Sequence, residues 1–375
     1  MAGIYFHIPF CKRLCGYCDF RRSVRLQYIP QVVERMHAEL EAERTFLGDR
    51  KIRTVYFGGG TPSLLAPQVL ADLYAHAARL FDLAHAEEVT AELNPDDVTA
   101  EYVKQLRATP VNRVSLGVQS FDEAELRFMG RRHTAEQAER AVGLLQEAGY
   151  DNISIDLIFG VEGFGDEVLQ RSLAKAVALG VQHISAYHLT IEPATRFGRL
   201  LARDELRQVA EERSESEFLM VHHALTEAGF EHYEVSNYAL PGRRSRHNSS
   251  YWTGDEYLGI GAGAHSFNGS VRRWCEQSAE EYADGIVYGQ EVLTERDHLN
   301  EYLMTSLRRA EGIAPAHIAE RWGAIEAERV ERAAQEFIDA GTLVRRQADD
   351  GEERLAIPPE KFLVSDAVIS ALFEV

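Results

Sequence analysis

"HIPFCKRLCGYCDF", residues 7–20, holds three of the chain's four cysteines in a C-x3-C-x2-C spacing: Cys11, Cys15 and Cys18. The fourth, Cys275, is far away. An odd cluster of three makes a poor disulfide framework. The basic and glycine neighbours in "CKRLCGYC" belong to a loop, not to buried apolar cysteines. At this spacing three thiolates can reach one metal centre. Two metals compete. Zinc takes four tetrahedral ligands, and His7 could supply the fourth. An iron–sulfur cluster usually takes four cysteines, so three would leave one iron open to another ligand.

Outward from the cluster, strand-like and helix-like segments alternate. The strand candidates are "GIYFHIPF", "TVYFGG", "EVTAELNP", "RVSLGVQS", "NISIDLIFG" and "HISAYHLTI". Between them lie helical patterns. "TAEQAERAVGLLQEAG" opens on a Thr134 cap and ends near Gly149, and "DEVLQRSLAKAVALG" ends at Gly180 in the same way. Six βα repeats of this length imply an α/β fold with a parallel sheet. Residues 202–216, "ARDELRQVAEERSES", read as a charged connector or exposed helix. The helical "EFLMVHHALTEAG" and strand-like "HYEVSNYA" follow. From about 296 the pattern changes. "RDHLNEYLMTSLRRAEGI", "APAHIAERWG" and "ERVERAAQEFIDAG" predict three helices. "TLVRRQADDGEERLAIPP" predicts a β-hairpin turning at Asp349–Gly351. Three helices and a hairpin outline a winged-helix-like C-terminal domain.

The 375 residues are 45% hydrophobic and 26% charged, enough for one large domain and a smaller one. The formal net charge of −19 argues against non-specific binding to nucleic acid or anionic membrane. From residue 301 onward acidic side chains outnumber basic ones, 15 to 9, so the C-terminal domain lacks a DNA-binding footprint. No run of 18 apolar residues exists, and no spanning helix is expected. "MAGIYFHIPF" has neither a basic n-region nor a long apolar h-region, so it reads as a buried strand and not as a signal peptide. Few cysteines and a metal site fit a reducing cytoplasm.

A C-x3-C-x2-C motif after a β-strand, with an aromatic (Tyr17) just before the last cysteine, resembles the radical SAM superfamily. The resemblance implies that Cys11, Cys15 and Cys18 hold a [4Fe–4S] cluster whose open iron binds S-adenosylmethionine (SAM). It also implies a partial (β/α)6 barrel with its chemistry at the C-terminal ends of the strands. On that basis residues 1–240 are expected to form the barrel, 241–295 a connecting segment, and 296–375 the C-terminal domain. "FGGGTPS" (57–63) follows the second strand. Glycines let backbone approach a ligand closely, and the resemblance assigns the SAM amino group to Gly59, Gly60 and Thr61. Glu92 ends the third strand, Gln119 the fourth, and Asp156 lies on the fifth; Arg131 stands in "MGRRH". Together they outline one polar rim.

Within the superfamily, nearly the whole chain resembles the oxygen-independent coproporphyrinogen III oxidase-like family. That family contains both the oxidases and haem chaperones. There Tyr5, Gly59, Gly60, Thr61, Glu92, Gln119, Arg131 and Asp156 match SAM-contacting positions, and Tyr17 matches the aromatic near the adenine. Two features depart from the oxidases. They extend the motif to C-x3-C-x2-C-x-C, where this chain has Phe20. They also carry an N-terminal extension, whereas the cluster here begins at residue 11. A third departure is from the family: "FGVEGFG" stands where it usually has a proline-containing "GLPGQ".

"RHNSSYW", residues 246–252, matches an H-N-x-x-Y-W stretch of the chaperones that the oxidases lack. It makes His247, Asn248, Tyr251 and Trp252 the candidate haem site. Imidazole is a common haem ligand, and the aromatics offer flat apolar surface to a porphyrin. Arg243, Arg244 and Arg246 could pair with propionates. The alternative is a surface loop whose aromatics close one end of the barrel. His265, in "YLGIGAGAHSF", is a second candidate ligand, though a core histidine fits its glycine neighbours better. Cys275 reads as a partly buried structural thiol. The resemblance therefore implies a chaperone that binds haem and passes it to a haem-accepting protein, as a monomer or homodimer. Contact with a membrane would come through the acceptor. The alternative is a radical decarboxylase of coproporphyrinogen propionates.

Overall fold

The computed structural model describes residues 2–348 and 351–374. Six strands answer the six apolar segments: β1 (Ala2–Ile8), β2 (Ile52–Gly59), β3 (Glu88–Leu93), β4 (Arg113–Gln119), β5 (Ile153–Phe159) and β6 (His183–His188). They pair in parallel in that order, with helices between them. This is the expected partial barrel.

The side-chain period of two gives the barrel two unlike faces. Ile4, Phe6 and Ile8 of β1 and Val55 and Phe57 of β2 belong to the apolar core. The alternate positions carry polar or aromatic groups that meet one another in the lumen. Tyr5 lies 5.9 Å from Tyr56 between ring centroids. Ser115 hydrogen-bonds Asp156 at 3.4 Å, and Ser154 hydrogen-bonds His183 at 2.7 Å. A lumen lined this way suits a polar ligand, and the helices outside it supply the burial.

The helix Ala135–Glu147 begins as expected: Thr134 and Gln137 form a reciprocal capping box. The charged stretch 202–216 resolves differently. Its second half opens the helix Glu211–Glu227, which continues through "EFLMVHHALTEAG" without a break. Glu211 and Glu212 suit the positive end of that helix, and Phe218, Val221 and Leu225 bury one stripe.

"HYEVSNYA" forms a hairpin of β7 (Glu231–Glu234) and β8 (Asn237–Ala239), and β8 joins β6 antiparallel. Residues 241–295 extend the sheet at its other side. After the helix Arg246–Thr253, β9 (Tyr257–Ile260) pairs parallel with β1. Strands β10 (His265–Phe267), β11 (Val271–Trp274) and β12 (Gly289–Val292) continue antiparallel. The sheet order is β12-β11-β10-β9-β1-β2-β3-β4-β5-β6-β8-β7.

The C-terminal residues form the helices Glu295–Leu307, Pro315–Trp322 and Ala324–Asp339, then the hairpin of β13 (Val344–Gln347) and β14 (Glu353–Ala356), then a last helix, Ser365–Leu372. Of the expected turn at Asp349–Gly351, Asp349 and Asp350 lie outside the described residues. Leu303, Leu307 and Phe362 belong to the same apolar core as the barrel. Among the described residues no helix is long and apolar enough to cross a membrane.

Candidate functional site

The cysteine loop begins where β1 ends and is pinned to the barrel by its backbone. Cys11 N–H donates to Ser23 O at 3.0 Å, Gly16 N–H to Met129 O at 2.9 Å, and Phe197 N–H to Gly16 O at 2.9 Å. The three thiols face one cavity of about 410 Å³ at the C-terminal ends of the strands. Tyr17, Gly59, Gly60, Thr61, Glu92, Gln119, Arg131 and Asp156 line the same cavity. Residues scattered over 140 positions of sequence thus meet in one place.

Each sulfur has its own donor. Thr61 Oγ1 donates to Cys11 Sγ at 3.4 Å, Arg131 Nη1 to Cys15 Sγ at 3.5 Å, and Arg22 Nη1 to Cys18 Sγ at 2.6 Å. Burial pushes the Cys11 and Cys18 thiols up, and the Thr61 and Arg22 donors oppose it. Donors of this kind favour thiolates, the form that binds iron.

His7 is not placed as a fourth ligand. It does not line the cavity, and its Nδ1 lies 3.1 Å from Tyr5 Oη and its Nε2 3.3 Å from Arg21 O. Burial lowers its pKa to about 4. Among the described residues no three His, Cys, Asp or Glu side chains converge closely enough for a single ion. Three donor-bearing sulfurs spread around a roomy, partly polar cavity fit a multi-iron cluster with an organic ligand beside it.

The glycines are needed where they stand. A Cβ on Gly60 would come within 2.6 Å of Phe10 O and 2.9 Å of Ile8 O. Gly59 adopts φ +105°, and its N–H donates to Glu92 Oε2 at 3.1 Å. Glu92 Oε1 also accepts from Tyr56 Oη at 2.8 Å. Burial, then the nearby Asp156 charge, raises the Glu92 pKa to about 7. Burial likewise raises Asp156 to about 6. Two carboxylates held this close to neutrality gain from a cationic or hydroxyl-rich ligand.

Gln119 sits at the end of β4 with φ +71°, rare for a residue with a side chain. The ladder with β5 is irregular between Leu116 and Gln119, and this bulge aims Gln119 at the cavity. Arg131 braces the bulge by donating to Gly117 O at 2.5 Å and to Asn94 Oδ1.

Tyr5 does not join this rim. It lies deeper in the lumen, its ring 6.2 Å from that of His247. Sequence reasoning also missed cavity residues. Ile158 lies two positions beyond Asp156, on the same side of β5, so strand alternation could have found it. His188 and Thr190, at the end of β6, could have been found by extending the strand-end rule to the sixth strand. Arg22 carried no signal beyond its closeness to Cys18.

The "RHNSSYW" stretch lies at the opposite end of the barrel, on the helix Arg246–Thr253. Glu88, the first residue of β3, accepts from the backbone N–H groups of Arg246 and His247 at 3.0 and 2.9 Å. His247 is 1% exposed and points into the lumen. Its Nδ1 is 2.8 Å from Thr54 Oγ1 and its Nε2 2.9 Å from Tyr251 Oη. Burial, then the Arg113 charge, depresses its pKa to about 3. Asn248, Tyr251 and Trp252 are partly buried. Tyr251 packs against His247 and Tyr257 at the N-terminal end of the barrel, and both His247 nitrogens are engaged. The three arginines are engaged too: Arg243 with Asp151, Arg244 with Glu231 and Glu311, and Arg246 with Glu87. A cavity of about 520 Å³ beside the helix reaches Thr54, Arg244, Arg246 and Ser250.

His265 is not a core histidine: it is exposed, with its ring 6.3 Å from that of Trp274. Its place on β10, near the sheet's outer side, explains the difference. Cys275 is buried at 1% exposure.

Residues 5–176 match the Radical SAM superfamily. The chain is 37% identical over 314 residues to the heme chaperone HemW of Lactococcus lactis, covering 82% of each chain. It is 35% identical over 380 residues to the heme chaperone HemW of Mycobacterium tuberculosis, covering 99% of this chain and 94% of that one. Its fold is similar to that of the coproporphyrinogen III oxidase HemN of Escherichia coli, with TM-score 0.83 and 20% identity over 99% of this chain and 90% of that one. With the cysteine loop, the glycine turn and the acidic rim arranged as described, the chain belongs to the radical SAM superfamily and, within it, to the HemW family.

Proposed function

We propose that the chain is a haem chaperone that binds haem and hands it to a haem-accepting protein in the cytoplasm. The carrying observation is its likeness to proteins named heme chaperone HemW over 82% and 99% of its length. The "RHNSSYW" helix falls within that length. At position 20, where the resemblance gives the oxidases a further cysteine, Phe20 stands 67% exposed and cannot ligate iron.

Cys11, Cys15 and Cys18 would hold a [4Fe–4S] cluster, which when bound supplies an electron and one open iron site for SAM. The chain's own residues do the rest. Glu92 and Asp156 accept hydrogen bonds and offset positive charge. Gly60 leaves room for a close backbone approach. Gln119 and Arg131 fix the far wall of the cavity.

Haem would be bound through His247, with Asn248, Tyr251 and Trp252 around it. For His247 Nε2 to reach iron it must leave the Tyr251 hydroxyl, and the helix Arg246–Thr253 must lift from the barrel end. Gly242 and Gly254 flank that helix with φ +76° and +71°, a backbone conformation that glycine adopts without a Cβ clash. Freed arginines would exchange carboxylate partners for propionates.

The test is a haem titration on anaerobically reconstituted protein, followed at the Soret band. Saturable, stoichiometric binding is expected. Absence of specific binding would overturn the chaperone reading and leave turnover of coproporphyrinogen as the next assay.

A further inference from the structure

Arg22 stands four residues after Cys18 in "CDFRRS". Its Nη1 donates to Cys18 Sγ at 2.6 Å and to Phe20 O at 3.0 Å. Its Nη2 donates to Cys15 O at 3.5 Å and to Cys18 O. The acceptors are one sulfur and three carbonyls, and none is a carboxylate. Its Nε is buried and has no hydrogen-bond partner. The guanidinium thus staples the loop from residue 15 to 20 and lines the cavity that the three cysteines share. Its charge is fixed beside a ligand sulfur, whereas Arg132, Arg243, Arg244 and Arg246 face carboxylates.

We propose that Arg22 tunes the cluster held by Cys11, Cys15 and Cys18, keeping its reduction potential higher than the three thiolates alone would give. Reduction adds one electron, and so one negative charge, to a centre already surrounded by anionic sulfurs. A cation and a hydrogen-bond donor at one of those sulfurs stabilise the reduced form more than the oxidised form. A cluster at higher potential is a weaker electron donor to the sulfonium of SAM. Arg22 therefore biases the site toward holding SAM over cleaving it. It acts through Cys18 and is a positioning residue, not a catalytic one. Arg131 reaches Cys15 Sγ only at 3.5 Å and is committed to Gly117 O and Asn94, so Arg22 is the closer charge.

This inference rests on the cluster reading above. The test is an electron-spin-resonance redox titration of the reconstituted full chain, with iron and sulfide analysis, for wild type, Arg22→Gln and Arg22→Lys. The glutamine variant, which keeps a neutral donor, is expected to load fully and titrate at a more negative potential. The lysine variant, which keeps the charge, is expected between the two. A glutamine variant with the wild-type potential, or a lysine variant as low as glutamine, overturns the proposal and leaves the cluster reading intact. If glutamine takes up no cluster, the lysine variant carries the test: loading there with a potential near wild type supports the role of charge, and loss of loading there too overturns it. A wild type that takes up no iron and sulfide overturns the cluster reading and this proposal with it.

Discussion

The ring of Tyr56 stacks on that of His247, with centroids 4.9 Å apart and planes inclined by 27°. The Tyr56 hydroxyl, at the other end of the same side chain, donates to Glu92 at 2.8 Å. One tyrosine thus spans the layer between the acidic rim of the cavity that the cysteines share and the helix Arg246–Thr253. His247 and the cavity carboxylate Glu92 are not neighbours in sequence, yet a single residue of β2 separates them.

Removing only the hydroxyl therefore separates two roles. Tyr56→Phe keeps the stack on His247 and leaves a buried carboxylate with one donor fewer, a loss of about 1–3 kcal/mol. SAM affinity, measured calorimetrically on reconstituted protein, is expected to change by about tenfold, while haem binding stays near wild type. Equal loss of both affinities would mean that the ring, and not the hydroxyl, is the shared element.

Glu92 carries a stability cost that function accounts for. Its folded pKa of about 7 lies above its ordinary 4.5. A group raised in this way stabilises the fold fully below about pH 4.5, and that contribution is lost as pH rises through about 7. Glu92→Gln should therefore stabilise the ligand-free chain at pH 7.5 or above, on the order of 2 kcal/mol, by removing a buried charge. SAM affinity should collapse in the same variant. In wild type, SAM affinity should rise between pH 5.5 and 8 as Glu92 and Asp156 ionise. Thermal melts and calorimetry across pH check both signs.

Gly60 has backbone on the side where a Cβ would project, at 2.6 Å from Phe10 O and 2.9 Å from Phe10 N. Backbone cannot move aside as a flexible side chain does. Gly60→Ala should cost about 1–3 kcal/mol and shift the start of the cysteine loop, lowering iron and sulfide uptake well below that of wild type. Full cluster loading with an unchanged melting temperature would contradict the close approach.

His247 sets an acid sensitivity. Its pKa falls from the ordinary 6.5 to about 3 on folding, because the ring is buried and, secondarily, feels the Arg113 charge. Its stabilising contribution is complete above about pH 6.5 and is lost as pH falls toward 3. The helix Arg246–Thr253 should release on acidification, with a change in tryptophan emission as Trp252 meets water. His247→Phe should flatten that change between pH 6 and 4. An identical acid profile in the variant would place the sensitivity elsewhere.

The cluster loop, the six strands and the three C-terminal helices could be read from sequence because each rests on local pattern: spacing, alternation, or the Thr134 cap. The polar rim was also legible, since Glu92, Gln119 and Asp156 occur at strand ends and a parallel barrel brings strand ends together. What escaped depends on contacts distant in sequence. Nothing local shows that Tyr257–Ile260 joins β1, or that "RHNSSYW" docks at the N-terminal end of the barrel and turns His247 inward. Glu88 and Thr54, which capture that helix, lie more than 150 residues upstream. Tyr5, matched by resemblance to a SAM-contacting position, stands three residues before the end of β1 and lies deeper in the lumen than the cavity residues.

Haem titrations of wild type, His247→Ala and Tyr251→Phe decide whether haem binds through His247 once that residue leaves Tyr251. Saturable Soret-band binding by wild type is expected, with marked weakening in His247→Ala and tighter binding in Tyr251→Phe, where Nε2 has no hydroxyl to leave. Indistinguishable titrations of wild type and His247→Ala would contradict binding through His247.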